Sequence, residues 1–406
     1  MFIIDWLLAD NHYMSLLGIV VILGVAALFS SNRRAISFKL LGSALLAQFA
    51  LAFFILKTAI GSSLFTNISH GVERVYQFAN DGCSFVFGSL ANPAGPWGFV
   101  FAFKVLPIII FFGALMALLF HLGIVQLIVR AMAFVIRPIF GTSGAETLSV
   151  AANSVLGQTE APLLIKNYLP RMTDSEMTTV MVSGMAHLSG AILAVYGLMG
   201  VPILHLLSAS IMAIPGAILI AKLLTPETET PETMGGSQVE IPRQTKNILD
   251  AISNGTSDGL SLALNVAAML IAFISITSLV NAILVWGTGW SLNALFAKLF
   301  YVVAYLIGIA PGECEAAGTL LGQKLVINEF VAYSSMVGMA MSTRAVAILT
   351  YALAGFSNFS CIGIQIGGIG AICPSKRETL TRLGMKALLG GTLANLLNAA
   401  IASLFI

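Results

Sequence analysis

Two acidic side chains sit inside otherwise apolar stretches of this chain, and they are where chemistry is most easily imagined. Glu160 lies in segment 146–163, ETLSVAANSVLGQTEAPL, and Glu329 in segment 311–331, PGECEAAGTLLGQKLVINEFV. Gln158, Thr159 and Asn328 stand beside them. Carboxylates accept hydrogen bonds, whereas amides and hydroxyls both give and accept. The set suits a neutral solute rich in hydroxyl or amide groups. No cluster of Arg or Lys accompanies it, which argues against an anionic ligand such as a phosphate ester. The competing reading is structural, with each acid placed at an exposed turn or in a fixed pair. At membrane depth a carboxylate costs about 2.5–3.5 kcal/mol on insertion scales, which favours a functional role.

A second set suits a small cation. Asn153 lies in the first acidic segment, and His187-Leu188-Ser189 interrupts the apolar stretch that follows it. Unwound backbone carbonyls and an amide side chain supply the oxygens that Na⁺ prefers. His187 has two further readings, as a proton carrier with an unperturbed pKa of about 6.5 or as a packed ring bonded to a neighbouring helix. A matching interruption, Gly355 to Cys361 (GFSNFSC), carries Phe356 and Asn358. Phe356 is either a ring that stacks on a ligand or ordinary packing, while Asn358 is harder to explain by packing. Glu313 and Glu315 follow Pro311-Gly312, where a helix start favours acids through its dipole, so capping or gate positioning outweighs ligand contact. Arg344 is an interfacial anchor or a brace.

The elements that must hold these residues are membrane spans. Of 406 residues, 58% are hydrophobic and 9% charged, against about 25% charged in soluble domains. Runs 13–30, 40–56, 105–122, 260–285 and 387–406 approach or exceed the roughly 18–20 apolar residues that cross a bilayer. Barrel strands would be shorter and would alternate in polarity. The first run is followed by Arg33 and Arg34 without a small-residue cleavage site, so it reads as a retained span. Basic residues mark the cytoplasmic side. Arg33, Arg34 and Lys39, then Arg130 and Arg137, then Lys222, Arg243 and Lys246, then Lys376, Arg377, Arg382 and Lys386 all fall inside if both termini lie outside. About eight spans satisfy this, provided the two acidic segments do not cross.

Those two segments belong to a repeated order of span, surface helix (125–140, then 291–309), polar hairpin, interrupted helix and span. The basic residues place the first hairpin's ends inside and the second's outside. Two like units of opposite orientation form an inverted repeat, and interrupted helices at matching positions point to a transporter's binding site near the midplane. The expected fold is an all-α polytopic membrane protein with about eight transmembrane helices plus two re-entrant helical hairpins. Residues 1–99 form N-terminal scaffold helices and a connecting segment. The first unit covers 100–224, and 225–259 form a cytoplasmic polar loop and the start of the next helix. The second unit covers 260–406.

Other classes are disfavoured. The net charge of +2 does not suggest a nucleic-acid surface. Cys83, Cys314, Cys361 and Cys373 are scattered, with no metal or disulfide spacing. Segment 318–324, GTLLGQK, is not a phosphate-binding loop, and no soluble stretch is long enough for a nucleotide-binding fold. No nucleophile–base constellation suggests an enzyme. Gradient-driven transport is the expectation, with a channel or receptor using the same pocket as the alternative.

Three motifs then resemble a known family. GQTEAP at 157–162, NEFVAY at 328–333 and GFSNFSCIGI at 355–364 resemble the signatures of concentrative nucleoside transporters, in the right order and at the right separations. The resemblance runs nearly end to end. It implies a multi-pass protein of the plasma (inner) membrane, a homotrimer whose scaffold part holds a mobile part moving like an elevator. It implies cation-coupled nucleoside import, with uridine-like substrates favoured, sodium as the coupling ion and no cofactor. Gln158, Thr159 and Glu160 would then meet the nucleobase, with Ile192 beside it. Glu329, Asn358 and Cys361 would meet the ribose, with Phe356 alongside. Asn153, the Leu156 carbonyl, His187 and the Leu188 carbonyl would hold sodium. His187 stands where the family usually carries a hydroxyl residue, which keeps proton coupling open. Cys361 stands where it often carries Ser, and the weaker thiol donor shifts ribose binding toward Glu329 and Asn358.

Overall fold

The structure, a computed structural model, describes residues 11–92, 98, 100–234 and 245–406. Arg243, one of the residues used above to orient the chain, lies outside the described residues. Every regular element among the described residues is helical.

Among the described residues, three long helices come first: α1 (His12–Leu28), α2 (Phe38–Lys57) and α3 (Ala59–Phe87). Thr58 separates α2 from α3, and its hydroxyl accepts from Gly61 N–H at the start of α3. α3 contains no long apolar run, because Asn67, His70, Glu73, Arg74, Asn80 and Asp81 break it up. Its buried residues Ser69, Tyr76, Ala79 and Cys83 recur at helical spacing along one side. Tyr76 packs edge-on against Phe112, with ring centroids 5.5 Å apart.

Two runs of helices follow in the same order. The first comprises α4 (Leu106–His121), α5 (Ile124–Phe140), α6 (Gly144–Asn153), short 3₁₀ turns at Ala161–Ile165 and Leu169–Arg171, α7 (Asp174–Ala186), α8 (Gly190–Leu198) and α9 (Ile203–Leu224). The second comprises α10 (Ile248–Thr288), α11 (Leu292–Leu306), α12 (Cys314–Val326), α13 (Glu329–Val337), α14 (Thr343–Leu353), α15 (Phe359–Ile372) and α16 (Arg377–Ser403). Residues 187–189 interrupt the first long helix and 354–358 the second. Among the described residues, six segments are long and apolar enough to cross a membrane: Phe38–Lys57, Phe101–His121, Asp174–Leu198, Ile203–Leu224, Ile248–Thr288 and Pro374–Ser403.

Burial separates centre from periphery. The most apolar stretch of Asp174–Leu198 is 83% buried, whereas that of Ile248–Thr288 is 6% buried. The α7–α8 pair, α9 and α16 therefore form the middle, and α10 lies against it as an outer helix with most of its side chains facing away. α10 touches the rest through α4, where Gly113 faces Gly255 and Gly259 closely enough for their backbones to meet. Small residues allow that approach between helices in a bilayer, where packing rather than water exclusion holds them together.

Each run contains a tie between two helix starts. In the first, Ser143 and Thr173 each form a capping box, with Glu146 and Glu176. Ser143 also donates to Glu176, and Lys222 of α9 pairs with Glu146 at 2.7 Å. In the second, the backbone N–H and the hydroxyl of Ser342 both donate to Glu313, joining the start of α14 to that of α12. Arg344 braces the same corner through the Gly308 and Ser403 carbonyls, at 2.6 and 2.9 Å.

Candidate functional site

The turn after α6, the start of α13 and the interrupted helices converge. Asn328 caps α13 by accepting from Val331 N–H, so its side chain serves the helix start. That start projects Glu329, which is 5% exposed. Its carboxylate accepts from the Tyr196 hydroxyl of α8 at 2.9 Å and from Asn358 Nδ2 at 3.1 Å. Asn358 caps α15 in turn, its Oδ1 accepting from Cys361 N–H at 3.0 Å and from the Ser360 hydroxyl at 2.6 Å. The Cys361 thiol receives Gln158 Nε2 at 3.3 Å from the turn after α6. Gln158 Oε1 accepts from Gln365 Nε2 at 3.1 Å, and the same Nε2 reaches the Met181 carbonyl at 3.0 Å. Glu329, Asn358, Cys361 and Gln158 thus form one polar chain across the two runs.

The remaining candidates line or flank it. Thr159 lies against Gly368 of α15, where an added Cβ would come within 2.9 Å of its methyl group. Ile192 is buried in the first turn of α8, and Phe356 is half-buried in the second interruption. Glu160 accepts from its own loop's Gly157 N–H at 3.2 Å, and its side chain remains open to solvent. Asp258 of α10 acts on it electrostatically as a like charge. Glu329 therefore ends the polar chain, Glu160 lies outside it, and no hydrogen bond joins the two acids. One is accessible and one buried.

Comparison with known proteins decides what this arrangement belongs to. Sequence profiles described as "Na+ dependent nucleoside transporter N-terminus", "Nucleoside recognition" and "Na+ dependent nucleoside transporter C-terminus" match residues 17–90, 102–202 and 205–403. The chain is 39% identical over 413 residues to nucleoside permease NupC of Helicobacter pylori, covering 98% of each. The chain belongs to the concentrative nucleoside transporter family. It is also 35% identical to sodium/nucleoside cotransporter 1 of Rattus norvegicus, over 99% of this chain and 66% of that one. Among solved structures, CNTnw in an inward-facing, substrate-bound state matches with a TM-score of 0.93 at 40% identity, over 97% of this chain and 98% of that one. A doubly substituted CNTnw in an outward-facing state matches at 0.91 and 38%, over 97% of each chain. Inward- and outward-facing forms of one such protein indicate alternating access. The chain is a membrane transporter of this family, not an enzyme.

In this concentrative nucleoside transporter the first interruption has a different character from that polar chain. Gly190 N–H donates to the Val155 carbonyl at 3.0 Å, bringing the turn after α6 against the break between α7 and α8. The C-terminal ends of α6 and α7 therefore meet, and helix C-termini favour a cation. Asn153, the last residue of α6, is 1% exposed with neither amide atom hydrogen-bonded. His187 Nδ1 lies 2.8 Å from the Ser183 carbonyl. A carbonyl only accepts, so that contact assigns the proton to Nδ1 and leaves the Nε2 lone pair free. Nε2 is buried without a partner. Leu156 and Leu188 are buried on the two sides of the same junction. An orphaned amide, an imidazole lone pair and two carbonyl ends fit a small cation.

Sequence reasoning passed over Tyr196, Gln365, Lys324 and Asn395. Tyr196 stands in an apolar helix, and its hydroxyl is the only sign of its role. Gln365 is a lone amide in an apolar run and Asn395 shares its run with Asn398, a signal that intramembrane polarity could have raised. Gly355 is legible only in three dimensions. A Cβ there would meet Asn395 Oδ1 at 2.5 Å, the Met185 carbonyl oxygen at 2.7 Å and Ala186 C at 2.9 Å. Only glycine lets the two interruptions cross this closely.

Proposed function

We propose that this chain imports nucleosides, uridine-like ones in particular, by symport with a cation. The observation that carries the reading is the polar chain Gln158–Cys361–Asn358–Glu329, which joins the two hairpins through the second interruption. It offers an ionised acceptor beside an amide at one end, suited to a ribose diol, and amides at the other, suited to a nucleobase. Glu160 and Thr159 flank the base end, with Ile192 as an apolar wall. Phe356 lies alongside the ribose end. Uridine preference rests on family likeness.

The fold reading that accompanies it has eight crossings, the hairpins α6 with its 3₁₀ turns and α12–α13 entering from opposite sides, and both termini outside. Six of the described segments are long and apolar enough to be crossings, and α1 and the α14–α15 pair would supply the other two. The shared order of elements and the paired Ser–Glu ties at the two helix starts support an inverted repeat. Residues 1–99 with their scaffold helices and connecting segment, the units 100–224 and 260–406, and the cytoplasmic polar loop and helix entry 225–259, of which 235–244 lie outside the described residues, are its divisions. The protein works in the plasma (inner) membrane as a homotrimer, and its two central interrupted helices travel together as an elevator.

Sodium is the favoured coupling ion, held by Asn153, His187 and the Leu156 and Leu188 carbonyls. The free lone pair on His187 Nε2 favours a second reading, in which a proton is carried there instead. Uridine uptake into proteoliposomes under separately imposed sodium and proton gradients tests both. Concentrative uptake under the sodium gradient is expected. Uptake under the proton gradient alone selects the second reading, and uptake indifferent to both refutes symport.

A further inference from the structure

Lys324 is a buried cation that the proposed transport cycle does not use. It lies in the last turn of α12, 3% exposed and five residues before Glu329. Its Nζ donates to the Ala352 carbonyl at 2.7 Å and to Asn395 Oδ1 at 2.7 Å. Ala352 is in the last turn of α14, just before the second interruption. The ammonium group therefore sits where the C-terminal ends of α12 and α14 meet, in neutral oxygen ligands. Glu329 is close enough to act on it electrostatically but forms no ion pair with it.

Asn395, fully buried on α16, organises the same place. Its Nδ2 donates at 2.8 Å to the Ala186 carbonyl and at 2.8 Å to the Ala354 carbonyl, at the ends of α7 and α14 respectively. Its Oδ1 accepts from Lys324 and also from the Ser357 hydroxyl at 3.2 Å. One amide thus ties both interruptions together and presents its oxygen to the ammonium.

The first run has the same crossing without the lysine. There the C-terminal ends of α6 and α7 meet, and Asn153 occupies the end of the first hairpin helix. Asn153 lies seven residues before Glu160, as Lys324 lies five before Glu329. Its amide and His187 Nε2 are buried and unpartnered. Burying an ammonium group costs several kcal/mol unless its surroundings compensate. Two helix C-termini and two oxygens at 2.7 Å do so here, as they would for a free cation.

We propose that the Lys324 ammonium is a tethered cation, filling in the second unit the place that an exchangeable coupling cation takes in the first. Lys324 is a positioning residue in this scheme. It keeps the second crossing charged and closed through the whole cycle, so nucleoside binding needs one cation fewer than it would with both crossings open. The inference rests on the cation-coupled reading above.

The test is uridine binding to the purified protein as a function of sodium at constant ionic strength, for wild type, Lys324→Ala, Lys324→Gln and Lys324→Arg. Lys324→Ala is expected to bind uridine at least tenfold more weakly at low sodium. Its sodium dependence should be steeper by about one ion than wild type, and methylammonium should restore binding saturably. Lys324→Gln keeps a neutral donor for Ala352 and Asn395 and should fail in the same way, whereas Lys324→Arg keeps the charge and should retain the wild-type steepness. Wild-type steepness in Lys324→Gln, or weak binding in Lys324→Ala that neither sodium nor methylammonium restores, overturns the proposal. If Lys324→Ala does not fold, the Gln and Arg pair decides by the same criterion. A wild-type protein whose binding ignores every cation would instead sink the coupling reading itself.

Discussion

Replacing Glu329 with Gln keeps the shape of the side chain and removes its charge. The carboxylate now has two acceptor oxygens, one for the Tyr196 hydroxyl at 2.9 Å and one for Asn358 Nδ2 at 3.1 Å. An amide has one acceptor, and its NH₂ group must face either the tyrosine or the asparagine. A hydroxyl can turn to accept, but an amide NH₂ cannot. The Gln oxygen therefore goes to Asn358, Tyr196 reverses, and the fold survives. The ribose hydroxyls lose an ionised acceptor. A hydrogen bond to a charged group is worth about 1.5–3 kcal/mol, which corresponds to about a 10- to 150-fold loss in affinity. Calorimetric titration of uridine into the purified variant reads this directly, and unchanged elution on size exclusion shows that the protein is intact. A Kd within twofold of wild type would refute the placement of the ribose at Glu329.

Two other predictions follow from the crossing of the interruptions. Gly355→Ala places a Cβ against Asn395 and the backbone at Met185 and Ala186. Overpacking of this kind costs about 1–3 kcal/mol, so thermal unfolding of the purified protein should shift down and uptake should fall, and an unaltered melting curve would contradict the contact. His187→Ser exchanges an imidazole nitrogen for a hydroxyl oxygen at the proposed cation site. Because Na⁺ is a hard ion that prefers oxygen, half-saturation of uridine uptake should occur at a several-fold lower sodium concentration, and a rise would speak against His187 as a ligand.

Much of the fold is legible in the sequence because membrane burial writes itself into composition. The long apolar runs of α2, α4 and α10 and the polar break at His187-Leu188-Ser189 are readable without coordinates. So is the second polar break, between Gly355 and Cys361. α3 is not, because it lies half on the surface and its polar residues break the run that identifies a span. The ends of the site are legible for a related reason. Glu160, Glu329 and Asn358 are too costly in an apolar setting to be accidental. Its middle is not. Tyr196 and Gln365 belong to apolar helices, and their roles depend on which helix faces them across hundreds of residues of chain. Asn328 shows the reverse error. Its neighbours suggest a ligand contact, but a polar residue just before a helix has a stronger local use in capping, and that is where its side chain goes.

The helix ends give the two proposed sites their opposite character. Three helix starts, those of α8, α13 and α15, carry Ser189, Asn328 and Asn358 as caps, and the polar chain lies at two of them. The helix ends of α6 and α7, and of α12 and α14, carry carbonyls and face the Asn153–His187 junction and Lys324. A hydroxyl-rich solute and a cation are thereby drawn to adjacent places in the same crossing.

The central claim is that both hairpins hold one nucleoside between them. A structure of the protein determined with uridine and sodium tests it most directly. The account predicts the ribose within hydrogen-bond distance of Glu329 and Asn358, and the base against Gln158 with Glu160 and Thr159 beside it. Uridine bound elsewhere, or held by residues of one hairpin alone, would contradict it.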